Sequence, residues 1–407
     1  MNHALAVSMK RGVCREVRLR DICETINGLW KGVKPPFVKV GVVRSTNFTK
    51  KCKLDLSDER TVYLEVEEKK YQKRKLRLGD VIVERSGGSP GQPVGRAVVF
   101  DREGGEFSIS NFTSILRFTD GEIDSWYIYY YLLFRYYRGD TNRIQSNTIG
   151  LHNLDFDMYC NFRVLLPPKD VQREVVCELD KATARLDAIE RQFEKLRVTA
   201  AACFKSVLKA TFDSLAWDEQ LSDQCEVITD GDHLPPPKTS SGIPFLVISD
   251  VAGGRLNFEN TRFVPREYFD KIQASRKPRP GDVLLTVTGS YGIPVEVNVD
   301  REFCFQRHIA LVRSTKFLPR FLVYMFLSPK SKCYFERVAT GAAQKTVSLS
   351  SLRSMNVCCP SVAEQRRLVA NLDAAKARCD AIAALAARGL ANCARMRKAI
   401  LAEAFAV

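Results

Sequence analysis

The chain has 407 residues, 45% of them hydrophobic, which is room for roughly two to four domains that each bury a core. Its formal net charge of +15 favours polyanionic partners, nucleic acid first. The 13 Cys are odd in number and form no Cys-x-x-Cys pair, and only four His accompany them, so a zinc site is not expected and reduced thiols are the plain reading. No apolar signal core opens the sequence. The most apolar stretches, Trp126 to Phe134 and Phe317 to Leu327, fall short of the about 20 residues a membrane span needs, so a cytoplasmic location is expected.

Taken in chain order, the predicted elements occur twice. The first copy opens with strand-type β-branched runs, Val40-Gly-Val-Val-Arg-Ser and Asp80-Val-Ile-Val-Glu-Arg, the latter closed by the turn cluster Ser86-Gly-Gly-Ser. An aromatic helix follows from Asp124 to Arg135. Its run Trp126-Tyr-Ile-Tyr-Tyr-Tyr-Leu-Leu-Phe could stack bases, but its counterpart Arg320-Phe-Leu-Val-Tyr-Met-Phe-Leu is largely apolar, so core packing is the better reading. Pro167-Pro168 then starts a long helix. The second copy supplies Phe245-Leu-Val-Ile-Ser, then Asp282-Val-Leu-Leu-Thr-Val before Thr288-Gly-Ser, a helix over Pro319 to Leu327, and a long helix after Pro360.

Residue matches fix the register of the repeat. Pro167, Gln172, Leu179-Asp180, Ala184-Arg185, Asp187-Ala188-Ile189 and Phe212 recur 193 residues later, from Pro360 and Gln365 to Phe405. Leu19, Asp21, Cys23, Ile26 and Gly79-Asp80-Val81 recur 202 residues later, so the first copy carries nine extra residues between Gly79 and Trp126. Such an insertion costs little free energy. A period of half the chain marks a duplicated unit rather than a solenoid.

The long helices carry the strongest periodicity. Val175, Leu179, Ala182, Leu186, Ile189, Phe193, Leu196, Ala200, Cys203, Val207 and Ala210 alternate in steps of four and three, a heptad seam. Leu368, Leu372, Ala375, Cys379, Ile382, Ala386, Gly389, Cys393, Met396 and Ile400 do the same with smaller side chains. From Asp170 to Phe212 the first rod would be about 65 Å long. The expected fold class is α+β: two strand-rich domains, residues 1–168 and 217–361, joined by two long antiparallel coiled-coil helices, residues 169–216 and 362–407, with a pseudo-two-fold internal repeat. Two domains so placed would face a duplex about one helical turn or more apart.

No catalytic constellation emerges. Neither a Gly-rich phosphate cradle nor GxGxxG is present. Lys34-Pro35-Pro36-Phe37 has the wrong first residue for a base-amine methyltransferase. Glu67-Glu68-Lys69 with Asp58 only faintly resembles a nuclease metal site. Binding is the better class. Lys31 and Lys34 in a Gly/Pro loop, with His233 and Lys238 in the matching loop, can present side chains to phosphates or base edges. Arg44 and Asn47 follow a strand, and these residue types read guanine and adenine. Arg85 with Ser86, and Ser290 with Tyr291, end the matched Gly-Asp strands; Ser146, Asn147, Arg307 and Lys345 complete the candidates.

At this point the chain resembles a known family. The strings Leu-Pro-Pro…Gln172…Leu179-Asp180…Ala184-Arg185-Leu186-Asp187-Ala188-Ile189 and Pro360-Ser-Val-Ala-Glu-Gln365…Leu372-Asp373 look like the conserved regions of type I restriction–modification specificity subunits. Ile228-Thr-Asp-Gly231, the Gly-Asp strands and Gly341…Thr346-Val-Ser-Leu look like their target-recognition domains. Two departures are Val171 ahead of Gln172, where Glu is usual, and Asn147-Thr-Ile-Gly-Leu in place of a Gly-rich approach. The resemblance implies a non-catalytic subunit reading a bipartite site on double-stranded DNA, one half-site per domain. It further implies docking of two methyltransferase subunits, which carry S-adenosylmethionine, and of two restriction motor-nuclease subunits, which use ATP and Mg, with no cofactor on this chain. The competing readings are a stand-alone nuclease or methyltransferase, and a coiled-coil scaffold that binds only protein.

Overall fold

A computed structural model describes residues 14–29, 32–88, 91–148, 151–233, 236–237 and 239–405. The chain divides into two compact units, and the division cuts both long helices: Met1–Gln192 with Gly389–Val407, and Phe193–Arg388. No helix among the described residues is long and apolar enough to cross a membrane.

The first unit contains β1 (Glu24–Asn27), β2 (Phe37–Val43), β3 (Val62–Glu67), β4 (Val81–Glu84), β5 (Ala97–Val99), β6 (Phe107–Ile109) and β7 (Thr113–Arg117). One antiparallel sheet has the order β1-β7-β4-β5, and a smaller sheet has the order β3-β2-β6 with β2 and β6 parallel. In the second unit, β8 (Val227–Asp230), β9 (Ile243–Leu246), β10 (Arg262–Val264), β11 (Val283–Thr286), β12 (Pro294–Glu296), β13 (Cys304–Phe305) and β14 (Ile309–Arg313) follow the same plan. The orders are β8-β14-β11-β12 and β10-β9-β13, again with one parallel pair, β9 with β13. Strands β4, β7 and β11 are buried at every position; in β4 and β11 this gives the short apolar runs Val-Ile-Val and Val-Leu-Leu in place of alternation. The run expected as a strand through Ser249 stops at Leu246; Ile248–Val251 is a helical turn whose Asp250 accepts from the Val247 N–H at 2.9 Å.

The Gly-Asp repeat has a structural cause. Gly79 and Gly281 take positive φ of 86° and 96°, ending a turn that only glycine adopts at little cost. The aspartate that follows is buried and pairs across strands: Asp80 with Arg117 and Asp282 with Arg313, each with a closest N–O distance of 2.7 Å. A second oxygen role, accepting from the Arg77 or Arg279 backbone N–H at 2.8 Å, closes the turn itself. The aspartates show in the sequence as a repeat; the two arginines, 37 and 31 residues further on, do not.

Helix α1 (Ser125–Arg138) is capped by Asp124, which accepts from the Trp126 and Tyr127 N–H groups, and it ends at Gly139 with φ 87°. Tyr127 through Phe134 are all buried, so the aromatic run is core. In the second unit the counterpart is broken: α3 (Pro319–Leu327) stops at Ser328, and α4 (Pro329–Val338) restarts on a proline that cannot supply the N–H a continuous helix needs. Helix α4 is not among the elements expected from the sequence.

The long helices are α2 (Lys169–Asp213) and α5 (Val362–Phe405). Their repeated glutamines fasten each to its own lobe. Gln172 accepts from the Asp124 N–H at 2.9 Å and donates to the Pro167 and Glu122 carbonyls. Gln365 accepts from the Leu318 N–H at 2.8 Å and donates to the Pro360 and Lys316 carbonyls. The repeated Leu-Asp follows the same logic: Tyr130 donates to Asp180 and Tyr324 to Asp373.

Within each unit the two helices share a core. In the first, Val175 and Leu179 pack in one cluster with Leu401, Ala404 and Phe405; in the second, Leu208 and Phe212 pack with Leu368 and Leu372. The heptad seam is only partly realised. Ile189, Leu196, Ile382 and Met396 are 45%, 37%, 38% and 52% exposed, whereas Thr183, Asp187 and Arg397 are buried. A nearly straight helix of 3.6 residues per turn drifts off a strict seven-residue repeat, and steps of four bring polar side chains inward.

Candidate nucleic-acid interface

In each unit one end of the four-stranded sheet gathers loops from separate parts of the chain. In the first, β1 ends where β7 begins (Asn27 opposite Ser114) and β4 ends beside it (Glu84 opposite Thr113). In the second, Asp230 pairs with Ala310 and Thr286 with Ile309 at the same end. Gly28 and Gly231 lie at the matching crossing. A Cβ on either would stand 2.0 Å from a carbonyl oxygen, of Ser110 or Phe305, so only glycine lets the backbones pass.

The second unit's edge holds most of its exposed candidates together. The Arg307 N–H donates to the Asp232 carbonyl at 3.2 Å, the Gly289 N–H to the Lys345 carbonyl at 2.9 Å, and Thr286 Oγ1 to the Ser290 carbonyl at 2.6 Å. His233 is exposed, with Nε2 2.9 Å from Asp230 Oδ2. Arg307 and Lys345 are exposed and form no ion pair among the described residues. Burial, then the neighbouring Arg307 and His233, push His308 below its ordinary value. Tyr291 is half-buried against the core beneath.

The first unit's edge is more self-satisfied. Ser146 and Asn147 are exposed on a hairpin, paired with Asn153 and His152. Ser86 Oγ donates to Asn153 Oδ1 at 2.6 Å. Arg85 donates to Asn27 Oδ1 at 2.9 Å and lies 4.7 Å from the Phe156 ring centroid, so it braces the edge. Lys34 is exposed. Phe112, 48% exposed on the same edge, was missed because a lone loop aromatic carries no pattern.

One candidate is corrected outright. Asn47 is fully buried: its Oδ1 accepts from the Arg44 N–H at 2.9 Å and its Nδ2 donates to the Asp55 and Arg60 carbonyls. Both donor hydrogens and one acceptor direction are spent on the loop and the side chain has no exposed surface, so it is not placed to read a base. Arg44 is half-buried beside it. Lys31 and Lys238 lie outside the described residues. The faint nuclease tripeptide does not assemble: Glu67 pairs with Lys70 at 3.2 Å, and no group of three or more His, Cys, Asp or Glu among the described residues could hold a metal.

No family model matches the chain. The EcoKI specificity subunit of Escherichia coli strain K12 is 23% identical over 366 residues, 82% of this chain and 75% of that protein. The EcoBI specificity subunit of Escherichia coli is 24% identical over 270 residues, 59% of this chain, and the match spans only 57% of its length. The MjaVIII specificity subunit of Methanocaldococcus jannaschii is 20% identical over 249 residues, 56% of this chain and 58% of that protein. Among solved structures, a chain of a type I restriction–modification system superposes with a TM-score of 0.76 at 19% identity, covering 97% of this chain and 98% of that one. The HsdS subunit from Thermoanaerobacter tengcongensis gives 0.55 at 20% identity, covering 96% of each chain. In sequence and in fold, the chain is related to the specificity subunits of type I restriction enzymes.

Proposed function

We propose that the chain is the non-catalytic DNA-specificity subunit of a type I restriction–modification complex. The observation that carries this reading is the relationship just described, which extends through 97% of the chain in fold. The doubled loop-bearing edges and the charge of +15 are consistent with it. In this reading residues 1–168 and 217–361 are target-recognition domains, each reading one half of a bipartite site in double-stranded DNA. Residues 169–216 and 362–407 form the spacer and dock two methyltransferase subunits. Two restriction subunits complete the nuclease. S-adenosylmethionine resides on the methyltransferase partners, ATP and Mg on the restriction partners, and the assembly is cytoplasmic.

The test is to map methylated bases across the host genome by single-molecule sequencing, with and without this gene. Loss of one split motif, two short half-sites around a fixed gap, supports the proposal and gives the target. An unchanged methylome in cells expressing the partner methyltransferase refutes it.

A further inference from the structure

The geometry points to a nucleoside-phosphate site in the second unit, remote from the loop-bearing edge. A cavity of about 510 Å³ lies between α4 and the strand pair that ties Glu219–Gln220 to Asn356–Val357. Sites for small molecules occupy about 300–1,000 Å³. Its position is set by Met355, which lines it and whose carbonyl accepts from the Leu221 N–H ahead of β8, whereas the edge loops follow the far end of that strand.

One face of α4 furnishes the wall. Lys330, Cys333, Tyr334 and Arg337 fall at positions i, i+3, i+4 and i+7, opposite Trp217 and Asn356. Both rings are anchored by their polar atoms. Trp217 Nε1 donates to the Phe212 carbonyl at 2.9 Å, and the Tyr334 hydroxyl donates to the Ser351 carbonyl at 2.6 Å. The cations rest on these rings: Lys330 Nζ is 4.6 Å from the Trp217 centroid and the Arg337 guanidinium 5.4 Å from that of Tyr334. No carboxylate lines the cavity, and neither cation forms an ion pair among the described residues.

The first unit's corner at the matching strand pairing satisfies its own cations. There Arg163 stands where Asn356 stands in the strand pairing, Arg18 facing Arg163 as Gln220 faces Asn356. That corner carries Arg135, Arg138 and Arg163, and the chain neutralises all three itself: Asp140 pairs with Arg135 and Arg138, and Glu16 with Arg163 at 2.7 Å. The second unit keeps two cations and supplies no anion. Two cations with no carboxylate among the lining residues suit an anionic ligand. The space is larger than an inorganic anion requires, and two fixed aromatic rings with the Asn356 amide suit a flat heterocycle, so the ligand class is a nucleoside phosphate.

The test uses ADP and the full chain. Trp217 fluorescence is followed during titration, with Trp217→Phe identifying the signal and calorimetry as an independent readout. The expected result is saturable binding, weakened about tenfold or more in Lys330→Ala/Arg337→Ala. Both side chains are exposed, so that variant should keep the wild-type thermal transition, which is checked in parallel. Inorganic phosphate, lacking the ring, should bind more weakly than ADP. Absence of saturable binding into the millimolar range overturns the assignment, as does equal ADP affinity in the double variant. A Trp217 response to duplex DNA but not to ADP overturns it too, making the corner a backbone contact.

Discussion

Asp187 and Asp380 are equivalent in the repeat, yet their surroundings differ, and that difference yields a quantitative prediction. Asp187 is 12% exposed and accepts from Lys51, Lys53 and Arg397, each at 2.8 Å, while Glu190 beside it takes Arg397 at 3.2 Å and also Lys51. Asp380 is 64% exposed and, among the described residues, pairs with Lys376 alone, at 2.9 Å. Asp187→Asn removes the acceptor charge. Lys51 and Lys53 are 40% and 54% exposed and can turn to water, so their share is within about 1 kcal/mol. Arg397 is 9% exposed and cannot, so the loss concentrates there; Glu190 still faces it, which holds the cost to about 1–3 kcal/mol. For a unit of this size that lowers the melting temperature by about 2–12 °C. Asp380→Asn should stay within about 0.5 kcal/mol. Urea unfolding and calorimetry of the two full-length variants give the comparison. Equal effects, or a loss below about 1 kcal/mol for Asp187→Asn, would refute the reasoning. The pH dependence has a definite sign. Burial alone would raise the Asp187 carboxyl, but Lys51, Lys53 and Arg397 hold it well below the usual carboxylate range. A depressed value contributes stability present above the unfolded value of about 3.9 and lost as pH falls through the folded one. The gap between wild type and Asp187→Asn should therefore be full at pH 7 and close below about pH 4.

Gln365→Ala leaves the Leu318 N–H and the Lys316 and Pro360 carbonyls without their partner, and should cost about 1–3 kcal/mol in urea unfolding, with Gln172→Ala behaving alike. Gly231→Ala forces a Cβ against the Phe305 carbonyl and should destabilise the second unit by at least about 1–3 kcal/mol, measured as a shifted calorimetric transition. Arg307→Glu, at an exposed position, should leave melting unchanged and reduce the salt slope of DNA binding by about one or more in the assembled methyltransferase, read by fluorescence anisotropy across salt concentrations.

How much of this was legible in the sequence varies by element for physical reasons. The duplication and the helix starts were plain because a buried glutamine or aspartate with three fixed partners leaves a letter at a fixed spacing. The partners left no such mark: carbonyls of Glu122 or Lys316 are invisible in side-chain identity, and Arg117 and Arg313 sit far from the aspartates they neutralise. Asn47 misled because its type suits base reading, and only burial shows its amide spent on the loop. The strict heptad failed where Asp187 and Arg397 take places that periodicity assigned to neighbours. Loops at the sheet edges carry no period, so exposure there had to come from the fold.

Phe405 has a consequence for how the molecule is made. Its ring packs 5.4 Å from Tyr127, 5.8 Å from Tyr131 and 6.0 Å from Phe134, closing a core begun more than half the chain earlier. A ribosome works from the amino end, so the first unit emerges with that gap open and must wait until residues 401–405 arrive. Contacts of such long sequence separation slow folding, and the exposed aromatics are a liability meanwhile. The second unit, continuous from residue 193 to 388, has all its parts before then. Here the order of synthesis and the order of completion run in opposite directions.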